Sequence, residues 1–94
     1  MDMKFEWDNS KAITNLKKHG VSFEEAQTVF DNPLAVIFDD AAHSINEYRE
    51  IIIGHSLRSQ LLIISFTERS NSIRIISARP ATRKEREEYE RNSL

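Results

Sequence analysis

The chain of 94 residues contains no cysteine, so neither a disulfide framework nor a thiolate metal site can hold it together. Glycine and proline are scarce, two of each, which leaves no linker-like stretch between modules. No apolar run approaches the roughly 20 residues of a membrane span. The opening Met1-Asp2-Met3-Lys4-Phe5-Glu6 lacks the apolar core of a secretory signal. No repeat, glycine-rich phosphate loop or G-x-S-x-G elbow occurs, so P-loop nucleotide hydrolysis and esterase chemistry lack their machinery. These exclusions leave a single small domain, residues 1–94, with a modest core and an expected cytoplasmic location.

Charge is what the chain has in quantity, and it is unevenly placed. The net charge of −2 argues against a general nucleic-acid binder. Residues 1–48, however, carry four Lys against nine Asp or Glu, while residues 49–94 carry nine Lys or Arg against six Glu and hold all eight arginines. A local field can therefore attract phosphate although the average does not. Arginine presents a planar, permanently charged fork that fits phosphate oxygens. The competing reading is a solvated surface whose arginines pair with neighbouring glutamates.

Periodicity and capping signals predict an α+β fold: N-terminal helices on an antiparallel sheet of about four strands, followed by a C-terminal helix. Asp8 caps a helix over residues 9–19, with Ala12, Ile13 and Leu16 on its apolar face and Gly20 closing it. Ser22-Phe23-Glu24-Glu25 has the form of a capping box, and Phe23, Ala26, Val29 and Phe30 give the stripe of a second helix that Asn32-Pro33 stops. Residues 34–38 read as a buried strand, followed by a polar loop over 39–45. Strands then fit residues 47–54, 60–67 and 72–78, with connections too short for parallel crossovers. A second capping box, Thr82-Arg83-Lys84-Glu85, starts a charged helix over 83–92 anchored by Tyr89. Phe5 and Trp7 alternate with Lys4 and Glu6 as in a short strand.

The chemistry-bearing residues each admit a structural reading as well. His19, His43 and His55 lie far apart without metal-ligand spacing, and Asp39-Asp40 with His43 reads as an ordinary polar turn. Glu47-x-Arg49, Thr67-x-Arg69 and Ser77-x-Arg79 each place two polar groups on one face if they lie on strands, although a one-residue slip would change which pairs share it. Arg74 lies on the last strand, and with Arg79 it flanks the apolar run of that strand. His19 can serve as an acid or base near neutral pH, or simply cap a helix C-terminus. Trp7 can stack on a base or fill the core.

In order along the chain, Phe5-Glu6-Trp7-Asp8, Lys11, Asn15, Lys18-His19-Gly20-Val21-Ser22-Phe23-Glu24-Glu25-Ala26, Glu47-x-Arg49, Thr67-Glu68-Arg69 and Arg74-Ile75-Ile76-Ser77-Ala78-Arg79 resemble the BrnT family of toxins. The resemblance covers roughly residues 4–89. It implies a RelE-like fold and a ribonuclease toxin of a type II toxin–antitoxin pair that inhibits translation and growth. It also implies metal-independent attack of a ribose 2′-hydroxyl on the adjacent phosphate, giving a cyclic phosphate and a 5′-hydroxyl, with no cofactor. Arg69 and Arg79 are then the candidates for stabilising charge on phosphorus, and Glu47 for base or arginine orienter. His19 is a further catalytic candidate; Arg49, Thr67, Arg74 and Ser77 are candidate RNA contacts. The implied partner is a BrnA-like ribbon-helix-helix antitoxin, two toxins on an antitoxin dimer, with operator DNA contacted only through the antitoxin. The alternative is a non-enzymatic module whose arginine-rich sheet docks an acidic protein.

Overall fold

The computed structural model describes residues 3–44 and 47–92, so the end of the expected polar loop at Ile45 lies outside the described residues. The chain begins with β1 (Lys4–Glu6), then turns into α1 (Asn9–His19) at Asp8, whose carboxylate accepts from the Lys11 N–H at 3.0 Å. Gly20 closes α1 at φ 71°, its N–H reaching the Leu16 carbonyl at 2.9 Å. Nothing lies within 4 Å of a Cβ built there, so the left-handed backbone alone calls for glycine. Ser22 caps α2 (Phe23–Gln27), which tightens into a 3₁₀ turn at Thr28–Asp31. The strands β2 (Val36–Asp39), β3 (Glu50–His55), β4 (Leu61–Arg69) and β5 (Ser72–Pro80) follow, and α3 (Arg83–Asn92) ends the described chain. No helix among the described residues is long and apolar enough to cross a membrane.

The sheet has five strands in the order β1-β5-β4-β3-β2. Four run antiparallel as expected, but β1 adds a fifth and pairs parallel to β5 through Lys4↔Ser72 and Glu6↔Arg74. Connection lengths between the later strands could not reveal this, because the chain returns to β1 only after the whole intervening domain has been built.

One sheet face is dry. Ile52, Leu62, Ile64, Phe66, Ile73, Ile75 and Ala78 pack against Val21, Phe23, Ala26 and Val29. Edge-to-face aromatic contacts link Phe5 to Phe30, Phe30 to Phe66 and Trp7 to Phe23 at centroid separations of 5.1, 5.0 and 5.8 Å, so Trp7 belongs to this core. Gly54 lets β3 approach the turn after α2: a Cβ there would sit 2.7 Å from that of Ala35.

Two sequence expectations change. Ile13 and Leu16 are more than half or half exposed, and the residue that α1 buries is Asn15. The reason lies in what α1 covers. It runs along the edge of β5 beyond the short β1, and that edge offers unpaired backbone groups. Asn15 satisfies them, its Nδ2 donating to the carbonyls of Ala78 (2.8 Å) and Val21 (3.0 Å) and its Oδ1 accepting from the Ala78 N–H at 3.1 Å. The strand read as buried over 34–38 is instead β2, the outermost strand, exposed along all four residues. Of that segment Ala35 is the residue that packs on the main core, because β2 lies at the rim of the sheet.

Candidate active site on the open face of the sheet

A bulge decides what the other sheet face presents. Counting alternately from Ile73 and Ile75 would put Ser77 and Arg79 in the core. The β4–β5 register slips between Ser65↔Ser77 and Phe66↔Ile75, leaving Ile76 as an extra residue. Ala78 consequently points inward, and Ser77 and Arg79 turn to the open face opposite Ser65 and Ile63.

There they line a cavity of about 330 Å³ with Arg49, Ile51, Ile63 and Ser65. Its remaining wall comes from the loop before β3. A 3₁₀ turn over Ala41–His43 brings Asp40 and His43 together, with Nδ1 of the imidazole 3.1 Å from both carboxylate oxygens. Side chains three residues apart on such a turn stand one above the other. Ser44 fastens the turn: its hydroxyl donates to the Asp40 carbonyl at 2.8 Å and accepts from the Arg49 N–H at 3.0 Å. The Asp40 N–H in turn reaches the Arg49 carbonyl at 2.9 Å. Within the cavity wall Nε of Arg49 is buried without a hydrogen-bond partner among the described residues.

Arg79 is held from the other side by α3. Its Nη1 and Nη2 donate to the two Glu85 oxygens at 2.8 and 2.9 Å, and Nη1 also meets the Pro80 carbonyl at 3.3 Å. Nε–H and one Nη2 hydrogen of its five donors remain for a ligand. Glu85 is fixed in turn by the capping box, accepting from the Thr82 N–H at 2.8 Å while its own N–H reaches the Thr82 hydroxyl at 3.2 Å. The Arg79 bonds, reinforced by those from Thr82 against partial burial, draw the Glu85 carboxyl down to about 2. The same bonds raise Arg79 above its ordinary value. The guanidinium is thus pre-oriented.

The sequence candidates separate into groups. Arg49, Ser77 and Arg79 meet in this cavity. Arg69 and Glu47 meet each other at 2.7 Å, and Glu47 and Arg49 precede β3 rather than lying on it. Arg69 is four residues beyond Ser65 along β4, about 13 Å at strand rise. Arg74 pairs with Glu6 at 2.8 Å across β1 and β5. Thr67 is buried, its hydroxyl donating to the Tyr48 carbonyl at 2.7 Å. His19 ends α1 and lines a separate groove with Lys11, Lys18 and Ser77. Ser77 therefore borders both spaces.

Sequence reading missed Asp40, His43 and Ser65 as site residues. The Asp-x-x-His spacing was visible, but nothing local says that the turn carrying it folds against β4 and β5. On the far side of Arg79 an apolar groove runs between α3 and β2, lined by Val36, Phe38, Ile53, Ile63 and Tyr89. Tyr89 anchors α3 there, burying its ring against Ile53 and Leu61 and donating to the Leu34 carbonyl at 2.7 Å. Among the described residues no cluster of three or more His, Asp or Glu side chains could hold a metal ion.

Comparison with known proteins places the chain in a family. No curated protein sequence matches the chain. The crystal structure of the Brucella abortus ribonuclease toxin BrnT is similar at 25% identity and a TM-score of 0.67, covering 87% of this chain and 100% of that one. The family model for BrnT, the ribonuclease toxin of a type II toxin–antitoxin system, matches residues 7–85. The chain therefore belongs to the BrnT family of ribonuclease toxins of type II toxin–antitoxin systems.

Proposed function

We propose that this chain cleaves RNA in the cavity between Arg49 and Arg79, without a metal ion, and that growth and translation stop as a result. The observation that carries the reading is the convergence of two guanidinium groups and two serine hydroxyls on one concave, open patch of the sheet. The 2′-oxygen of the substrate attacks the adjacent phosphorus, and negative charge develops on the non-bridging oxygens. Arg79 meets that charge with donors already aimed by Glu85, so little reorganisation accompanies the reaction. Arg49 supplies the second cation. Arg69 with Glu47, Arg74 with Glu6, and buried Thr67 hold the far end of the sheet. The groove carrying Lys11, Lys18 and His19 supports an RNA path that crosses Ser77 into the cavity.

The protein works in the cytoplasm and is neutralised by a BrnA-like ribbon-helix-helix antitoxin, two toxins on an antitoxin dimer that alone contacts operator DNA. The apolar groove beside the cavity supports an amphipathic antitoxin segment lying along α3 and β2, where it would bury apolar surface and block access to Arg79.

The experiment incubates purified protein with single-stranded RNA, with and without EDTA, and examines the new ends. Cyclic phosphate and 5′-hydroxyl ends, formed equally in EDTA, are the expected products. Arg79→Lys keeps the charge but loses the fork and slows cleavage. Arg79→Ala slows it by about 10² to 10³. Arg83→Ala, at an exposed residue whose guanidinium pairs with Glu87, is the silent control. Activity lost in EDTA and restored by one divalent ion refutes the metal-free step. A folded Arg79→Ala protein as active as the parent moves the site elsewhere. Absence of cleavage with retained binding of an acidic protein favours the non-enzymatic module.

A further inference from the structure

We propose that His43, oriented by Asp40, is the residue that takes the proton from the attacking 2′-hydroxyl, an assignment that rests on the ribonuclease reading above. Burial assigns the two members different positions: the Asp40 side chain is 13% exposed and that of His43 66%. The carboxylate is the sheltered partner and the imidazole the presented one. Because Nδ1 faces both Asp40 oxygens, its hydrogen is directed to the carboxylate and Nε2 is left with the lone pair that can accept a proton. Asp40 acts through this orientation and is a positioning residue.

Elimination within the cavity leads to the same group. Arg49, Arg79 and the two serines cannot serve as a base near neutral pH, whereas an imidazole ordinarily titrates there. Glu47 is occupied by Arg69 and lies outside the cavity lining. Glu85 is committed to Arg79 and Thr82. His19 stands in the neighbouring groove. The charged side chains that line the cavity with His43 are Asp40 on its own turn, Arg49 before β3 and Arg79 on β5, the last paired with Glu85 on α3.

The step balances. The 2′-oxygen bonds to phosphorus while its proton passes to Nε2. The bond from phosphorus to the 5′-oxygen breaks, and the leaving oxygen takes a proton from water. The products are a 2′,3′-cyclic phosphate and a 5′-hydroxyl, and the imidazolium then returns its proton to the hydroxide left in solvent.

The test uses the full chain, with cleavage of single-stranded RNA measured from pH 5 to 9 and binding measured on the same sequence bearing 2′-O-methyl groups. His43→Gln should lower kcat by about 10² or more. It should also abolish the acidic limb of the pH profile and leave the Kd for methylated RNA within about twofold. His43→Asn, the second variant should glutamine fold poorly, should behave alike. Asp40→Asn should lower kcat by about tenfold with KM unchanged. A folded His43→Gln or His43→Asn protein that cleaves at the parental rate with the parental pH profile overturns the assignment, while loss of activity in Arg79→Ala alone leaves the ribonuclease reading intact. A parent that cleaves no RNA overturns both.

Discussion

Replacing Asn15 with alanine tests how the active strand is held in place. The truncation removes three hydrogen bonds at once, leaving the N–H and carbonyl of Ala78 and the carbonyl of Val21 without Asn15. Val21 is 1% exposed and Ala78 0%, so none of these groups sits at a freely hydrated surface. An orphaned buried polar group costs about 1–3 kcal/mol. Asn15 also borders the groove beside α1, through which water can reach part of the vacated space, so the low end applies to each group. The expected loss is about 3–4 kcal/mol, a large share of a typical total of about 5–15 kcal/mol. In a domain of this size it corresponds to a fall in Tm of roughly 15–25 °C. Thermal and urea unfolding followed by circular dichroism measure it. Leu16→Ala, one position along and half exposed, provides the contrast and should change stability little. Asn15→Asp sharpens the test: the isostere keeps the acceptor for the Ala78 N–H but sets a carboxylate against two carbonyl oxygens. Its folded pKa rises, so relative to the parent it is least destabilised at low pH and loses further stability as pH rises from the ordinary carboxylate range through the raised folded pKa. An Asn15→Ala protein within about 1 kcal/mol of the parent would refute the claim that this side chain completes the edge of β5.

Glu85 is held near 2 against an ordinary 4.5, so its contribution is complete above pH 4.5 and lost as pH falls toward 2; Glu85→Gln should flatten that part of the Tm–pH curve while keeping the cap. An identical acid slope in parent and variant would show that the Arg79 pairing does not stabilise the fold. Phe38 is about half exposed on the outermost strand of the sheet, so Phe38→Asp should leave folding and RNA cleavage intact but abolish co-purification with a co-expressed antitoxin. Unchanged co-purification places the antitoxin on another surface.

Much of the fold was legible because its signals are local. Asp8, Gly20, Ser22 and the Thr82–Glu85 box marked helix ends through bonds spanning three or four residues, and each appears in the structure. The strands expected over 47–54 and 60–67 likewise lie within a few residues of β3 and β4. Tyr89 stood out as the one apolar anchor of a charged helix, and it is the residue that α3 buries. The edge character of β2 was not legible, since a short apolar run reads the same in the centre of a sheet as at its rim.

The candidate site divides along the same line. Its arginines were visible as residue types with the right chemistry, and the family resemblance was carried by their order along the chain. What the sequence determined by itself is the element order, the capping and the placing of all eight arginines in the second half. Tertiary structure decided which of them share a face, because one extra residue at Ile76 inverts the pleat and no local pattern announces it. It also decided their partners: Glu6, Glu47 and Glu85 each take one arginine, over separations of 68, 22 and 6 residues. Finally, it set an Asp–His pair from a loop on the same cavity as Arg49 and Arg79. Such proximity depends on how the loop packs against β4 and β5, and packing is a property of the whole chain that no local spacing encodes.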